Sequence, residues 1–189
     1  PAAAALAIAL AYLGIGALQQ SRAIEAQARV AGMRGHVRDR GAVFPAFATN
    51  LVWRSLYLHG ATLYMDRIRA PWLAPAQWSA GYEMPLATAT DLPALPADGA
   101  RMRRDFARFR WFASGWIARA PDASDLIGDA RYSSRTDRFE PVWGIRLHPR
   151  RPIPVEWVDR SGQRRIDPGG LWDELRGADP RYRLVEPVR

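Results

Sequence analysis

Seventeen consecutive residues, Ala2 to Leu18 (AAAALAIALAYLGIGAL), carry no charge and almost no polar atom, and they limit the rest of the chain more than any other stretch. A run of that length is at the lower edge of what a helix needs to cross a bilayer, and it is also the length of a helix buried in a soluble core. Tyr12, Gly14 and Gly16 are at home in spanning helices, and the abrupt change to Gln19-Gln20-Ser21-Arg22 marks an interface, so the membrane is favoured. The helix is expected to continue in polar form to about Met33, with Glu25 and Arg29 at i, i+4 spacing and Gly32 and Gly35 as stop signals. Arg22, Arg29, Arg34, Arg38 and Arg40 follow the apolar run, which by the positive-inside rule places what comes next in the cytoplasm. The chain opens on Pro1, leading straight into the apolar run, and it is expected to be the distal part of a longer polypeptide.

Composition removes some chemistry. Without cysteine there is no disulfide, thiolate zinc site or cysteine nucleophile. Net charge is +8 and all 27 basic residues are arginine. An arginine-biased composition with the positive flank of a membrane helix accounts for that balance, and no helix-turn-helix, RNA-recognition or zinc-finger signature supports nucleic acid as a partner.

After Phe44-Pro45 the alternation of Asn50 to Leu58 predicts a strand, and Ala61 to Ile68 its hairpin partner across His59-Gly60. Arg54 and Asp66 then become candidates for a cross-strand ion pair. Ala70 to Asp98, punctuated by Pro71, Pro75, Pro85, Pro93 and Pro96, reads as a loop, either a lid or a packed excursion. Asp98 suits the N-cap of a helix to about Phe112, with Met102, Phe106, Phe109 and Ala113 on one face and Arg101, Arg104 and Arg108 on another. Strands are expected over Trp116–Ala120, Leu126–Ser133 and Val142–His148, an edge strand over Val155–Val158, then a short helix ending near Leu175 and a tail. The expected fold class is α+β: an antiparallel sheet with one packed helix, preceded by a long N-terminal transmembrane helix. Three segments are expected: 1–35, the transmembrane helix and its polar extension; 44–160, the extramembrane α+β domain; and 161–189, the short helix and tail.

No HExxH, GxSxG, P-loop or dinucleotide-binding motif is present, and His36, His59 and His148 have no second ligand at metal spacing in the sequence. The polar set with most chemical promise is Arg110, Asp129, Arg131 and Arg146. Converging on one face of the sheet, the arginines would hold an anion or substrate through forked donors with Asp129 orienting them; otherwise the four form a salt-bridge ladder.

The motifs RFRWFASGW, GDARYS, PVWGIRLHP and NLVWRSLY, with the ALAYLGIGALQQSRA helix, resemble the C-terminal part of the bacterial inner-membrane metal-dependent hydrolases, also described as LexA-binding, inner-membrane-associated hydrolases. The resemblance runs from the first helix to about Pro149. It implies upstream membrane helices carrying histidine and aspartate motifs, a divalent metal in the full-length protein, and an extramembrane domain in this chain that assists substrate positioning at that metal without catalysing on its own. None of the family's metal ligands maps onto a residue here, and no cofactor is expected in this fragment. The partners expected are the lipid bilayer and those upstream helices. The alternative is a non-catalytic interaction module whose Arg101–Arg110 helix binds an acidic protein or anionic lipid.

Overall fold

The computed structural model describes residues 1–46, 49–93, 99–133, 139–148, 151, 153–163 and 168–186. The class is α+β: a long N-terminal helix, two antiparallel sheets and two shorter helices. The chain packs as two compact units, one of Pro1–His59, Met65–Gly81 and Asp167–Arg189, the other of Gly60–Tyr64 and Tyr82–Ile166.

The first unit begins with α1 (Ala2–Met33), one unbroken helix of 32 residues, about 48 Å at 1.5 Å per residue. It has two halves. Among residues 1–18 none is buried, and Leu6, Ile8, Leu10, Tyr12, Leu13 and Leu18 are all exposed, so this half is apolar on every side and uncovered. Beyond Leu18 burial returns at Gln19, Ala23, Ala26, Gln27, Val30 and Ala31, the i, i+3/i+4 stripe of a helix lying on a core. That stripe packs with Val43, Trp53, Ile68, Ala70 and Val185, and its alanines let the helix come close to the sheet. The two glutamines in it are completely buried and satisfied. Gln19 Nε2 donates to the Ala70 carbonyl at 2.7 Å, and Gln27 Nε2 donates to Ser55 Oγ at 2.8 Å and the Ala42 carbonyl at 2.9 Å. Buried amides must be paired, so each fixes the rotation of the helix as well as its position.

The sheet under α1 has the order β1 (Arg40–Pro45), β2 (Val52–His59), β3 (Thr62–Arg69), β4 (Gln77–Pro85), β9 (Arg183–Leu184). The β2–β3 hairpin is the one expected from alternation. β4 falls inside the stretch read as a loop. Pro75 and Pro85 bracket it, and Trp78, Ala80, Tyr82 and Met84 alternate with Gln77, Ser79, Gly81 and Glu83 between them. Proline density broke the neighbouring segments and left Gln77 to Met84 free to pair. At the C-terminus α3 (Pro168–Arg176) forms as expected, and Gln77 and Trp78 pair with Leu184 and Arg183, so the tail includes a two-residue strand.

In the second unit α2 (Ala100–Phe112) covers a sheet of order β5 (Ile117–Ala120), β6 (Ala123–Asp129), β7 (Trp143–Leu147), β8 (Val155–Asp159). The expected N-cap Asp98 lies outside the described residues; the helix starts at Ala100 behind Gly99. Met102, Phe106, Phe109 and Ala113 meet Ile117, Ile127, Ile145 and Leu147 in one core, the apolar face read from the sequence. Strands expected to join one sheet thus divide between two, each with its own helix.

Gly128 and Gly144 are register partners in β6 and β7. A Cβ on Gly144 would lie 2.4 Å from the Ile127 carbonyl oxygen, a backbone atom that cannot rotate away. Gly144→Ala is therefore expected to lower unfolding free energy by about 1–3 kcal/mol, the usual range for overpacking, as measured by urea denaturation in detergent. A change under a few tenths would mean that the strands separate easily at this point.

Candidate functional site

A polar network in the first unit is assembled where α1 ends. Arg34 is the C-cap of that helix, Gly35 follows at φ +71°, and the His36 amide donates back to the Ala31 carbonyl at 2.9 Å. This turn aims the Arg34 guanidinium at the sheet. Its Nη1 and Nη2 donate to the two carboxylate oxygens of Asp66 at 2.7 and 2.8 Å, and Nη1 also donates to Tyr57 Oη at 2.7 Å. The Trp78 ring lies 5.0 Å from the guanidinium carbon, and the Gly81 amide donates to Asp66 at 3.3 Å. Burial opposes the charge on Arg34, but the hydrogen bonds and field of Asp66, with help from Tyr57, outweigh it and raise its pKa above the usual arginine range.

The network continues to two histidines. Tyr57, fully buried, is 3.0 Å from His36 Nδ1, and the His36 ring stacks on His59 with centroids 4.4 Å apart and planes 9° off parallel. His59 Nδ1 is 2.9 Å from the Val37 carbonyl, so this nitrogen carries a proton and donates. Far apart in the sequence, the two imidazoles are ring on ring in the fold. Chemically the inner part of the cluster is closed: Arg34 is committed to Asp66 and Tyr57 and is not offered to an anion. Among the described residues no three or more His, Cys, Asp or Glu side chains lie together as a metal-ligand set.

Asp66 thus pairs with Arg34 in place of Arg54, which stands buried in β2. The pairing with Arg34 arises because α1 ends directly over the Asp66 carboxylate, a contact between residues 32 apart in sequence.

The four residues read as an anion site are brought together only in part. Asp129 is the last residue of β6 and is fully buried, while Arg131 lies in the turn that follows, not on the strand. The Arg131 amide and Nε both donate to Asp129 Oδ1 at 3.0 Å, and Nη2 donates to Oδ2 at 2.7 Å. The carboxylate curls the backbone back on itself, which ends the strand early. Arg131 Nη2 also donates to the Phe112 carbonyl at 2.8 Å, satisfying one of the orphan acceptors at the end of α2. Hydrogen bonding to Asp129 raises the Arg131 pKa, against the effect of burial. Arg146 pairs instead with Asp125 at 3.2 Å, and Arg110 is exposed on α2, so neither is bonded to Asp129. The Asp129–Arg131 pair closes the turn after β6 and ties it to the end of α2, and the four residues do not converge on one site.

Neither protein-family models, nor curated proteins, nor solved structures give a match to this chain.

Proposed function

We propose that this chain is the membrane-anchored extramembrane module of a bacterial inner-membrane metal-dependent hydrolase, holding its sheets on the cytoplasmic side and positioning substrate at a metal site supplied by other membrane helices of the same polypeptide. The observation that carries the anchoring is α1: one helix whose first 17 residues, Ala2 to Leu18, are apolar and uncovered while the remainder is pinned to a sheet by buried Gln19 and Gln27. Apolar surface of that extent is stable only when lipid or other apolar helices cover it. The hydrolase assignment is supported by the aromatic motifs around Trp116 and Trp143, and the cytoplasmic side by Arg22, Arg29, Arg34, Arg38 and Arg40.

The test compares metal content, and hydrolysis of a panel of phosphoesters and esters, between the full-length polypeptide and this chain, both in detergent. Metal and turnover are expected with the full-length polypeptide and neither with this chain by itself. Stoichiometric metal in this chain would overturn the assignment of the chemistry to other helices and would make His36, His59 and His148 the first residues to change.

A further inference from the structure

The outward face of α2 is poorly balanced for a helix that meets only water. Its sequence, ARMRRDFARFRWF, has five arginines and one aspartate. With Met102, Phe106 and Phe109 turned into the core, Arg104, Ala107, Arg108 and Trp111 fall on the opposite side at i, i+3, i+4 and i+7. Asp105 faces Arg101 at 3.9 Å and Arg108 at 3.6 Å, and among the described residues Arg103, Arg104 and Arg110 have no ion pair. Like charges one turn apart repel, so this arrangement costs stability in an isolated domain unless an anionic surface lies against it.

The end of the same face is aromatic. Trp111 is 81% exposed; Phe112, about 100° further round the helix, and Trp157 of β8, both substantially exposed, meet edge to face with centroids 5.8 Å apart. Exposed indoles next to guanidiniums are the composition of a bilayer interface, where the ring sits at headgroup depth and each cation meets a phosphate. A docking site for a protein would be expected to pair its charges in both signs and to sink its aromatic anchors into a concave patch.

We infer that the outward face of α2, Arg104, Arg108 and Trp111, with Arg103 at one margin and Phe112 and Trp157 at the other, rests on an anionic lipid surface. Two features select lipid over other polyanions: the fully presented indole, and the bilayer that α1 keeps tethered to the same molecule, which makes the contact intramolecular and lets weak attraction suffice. The inference rests on the reading of α1 as a spanning helix, and the experiment separates the two.

Because the chain has no cysteine, single nitroxides can be attached cleanly at Ala107→Cys, within the face, and at Ile8→Cys, within the apolar half of α1. The whole chain is reconstituted in vesicles of phosphatidylcholine alone or with phosphatidylglycerol, and collision with oxygen is compared with collision with a water-soluble nickel chelate. The label at 107 is expected to favour oxygen only in the phosphatidylglycerol vesicles. Arg104→Gln and Arg108→Gln should each lower the docked-to-free ratio about fivefold, the equivalent of about 1 kcal/mol per basic residue near an anionic surface. A label at 107 that stays in water in both vesicles while the label at 8 is in lipid overturns the inference and leaves the anchor standing. A label at 8 that stays in water overturns both. Immobilisation of the 107 label by polyglutamate or an oligonucleotide, with no response to phosphatidylglycerol, also overturns it and makes the face a polyanion site.

Discussion

Asp66→Asn is expected to destabilise the protein by about 3 kcal/mol, and Arg34→Met by somewhat more, which are large fractions of the total for a domain of this size. The asymmetry follows from exposure. The Asp66 side chain is 2% exposed and that of Arg34 22%, so removing the arginine strands a buried carboxylate whose remaining hydrogen bond among the described residues is from the Gly81 amide, whereas removing the carboxylate leaves a cation that can turn partly to water. Leaving one member of a buried pair uncompensated typically costs about 3–5 kcal/mol, while replacing both with apolar side chains is often close to neutral. Arg34→Met with Asp66→Leu should therefore recover most of the loss, and the double-mutant cycle should show strong coupling. Urea denaturation in detergent measures the three variants. Hydrogen exchange adds a second readout, because Arg34 caps α1: in Asp66→Asn, amides of residues 19–33 should exchange faster before those of β6 and β7 do. A cost below about 1 kcal/mol for both single variants would mean that the pair behaves as a solvated surface bridge and that the apolar stripe with Gln19 and Gln27 holds the helix without it.

Local pattern made most of the elements legible. Seventeen uncharged residues followed by Gln and Arg signalled α1, alternation signalled the β2–β3 hairpin, and the spacing of Met102, Phe106 and Phe109 signalled the buried face of α2. What failed was non-local. Gln19 reads as the polar border of a membrane segment, yet it is wholly buried, because the strand end at Ala70 offers its amide an acceptor 51 residues away. Arg34 reads as one more charge in a positive flank, and nothing in its neighbourhood points to Asp66. β4 was hidden by the prolines at its two ends, although its alternation was present between them. Asp129 and Arg131 read as i, i+2 residues sharing a face of a strand, and in the structure the pair makes the turn that ends one. A side chain that can bond its own backbone two residues on competes with the strand, and periodicity alone does not say which wins.

The docking of the C-terminal segment is expected to fail at both ends of the pH scale, for reasons that separate by mutation. Arg67 is 2% exposed in β3 and is ion-paired with Glu174 of α3 and, at 3.2 Å, with Asp179, with the Tyr182 ring 5.5 Å from its guanidinium carbon. Arg69 adds a hydrogen bond to the Leu175 carbonyl at 2.8 Å. The Arg181 guanidinium, hydrogen-bonded to the Asp179 carboxylate, holds its pKa at about 2 against an ordinary 3.8, with Arg67 contributing to the same effect and burial opposing it. A depressed carboxylate stabilises the docked state above its ordinary pKa, and that contribution is lost as pH falls from about 4 toward 2. Tyr182 is the converse. Burial, partly offset by Arg67, pushes its phenol from 10.0 up to about 12, so the neutral phenol favours docking below pH 10 and the contribution is lost as pH rises from 10 toward 12. Proteolysis and hydrogen exchange of residues 168–186, followed against those of β2, should show the C-terminal segment releasing first in both directions. Asp179→Asn should weaken docking at neutral pH and flatten its acid limb, while Tyr182→Phe should leave neutral docking in place and remove the alkaline limb. Arg67→Met should release the segment at every pH at a cost of about 3–5 kcal/mol, because Glu174 and Asp179 lose the cation they share. Simultaneous release of α3 and β2 would contradict this reading, since it would make the C-terminal segment part of the same cooperative unit as the sheet it covers.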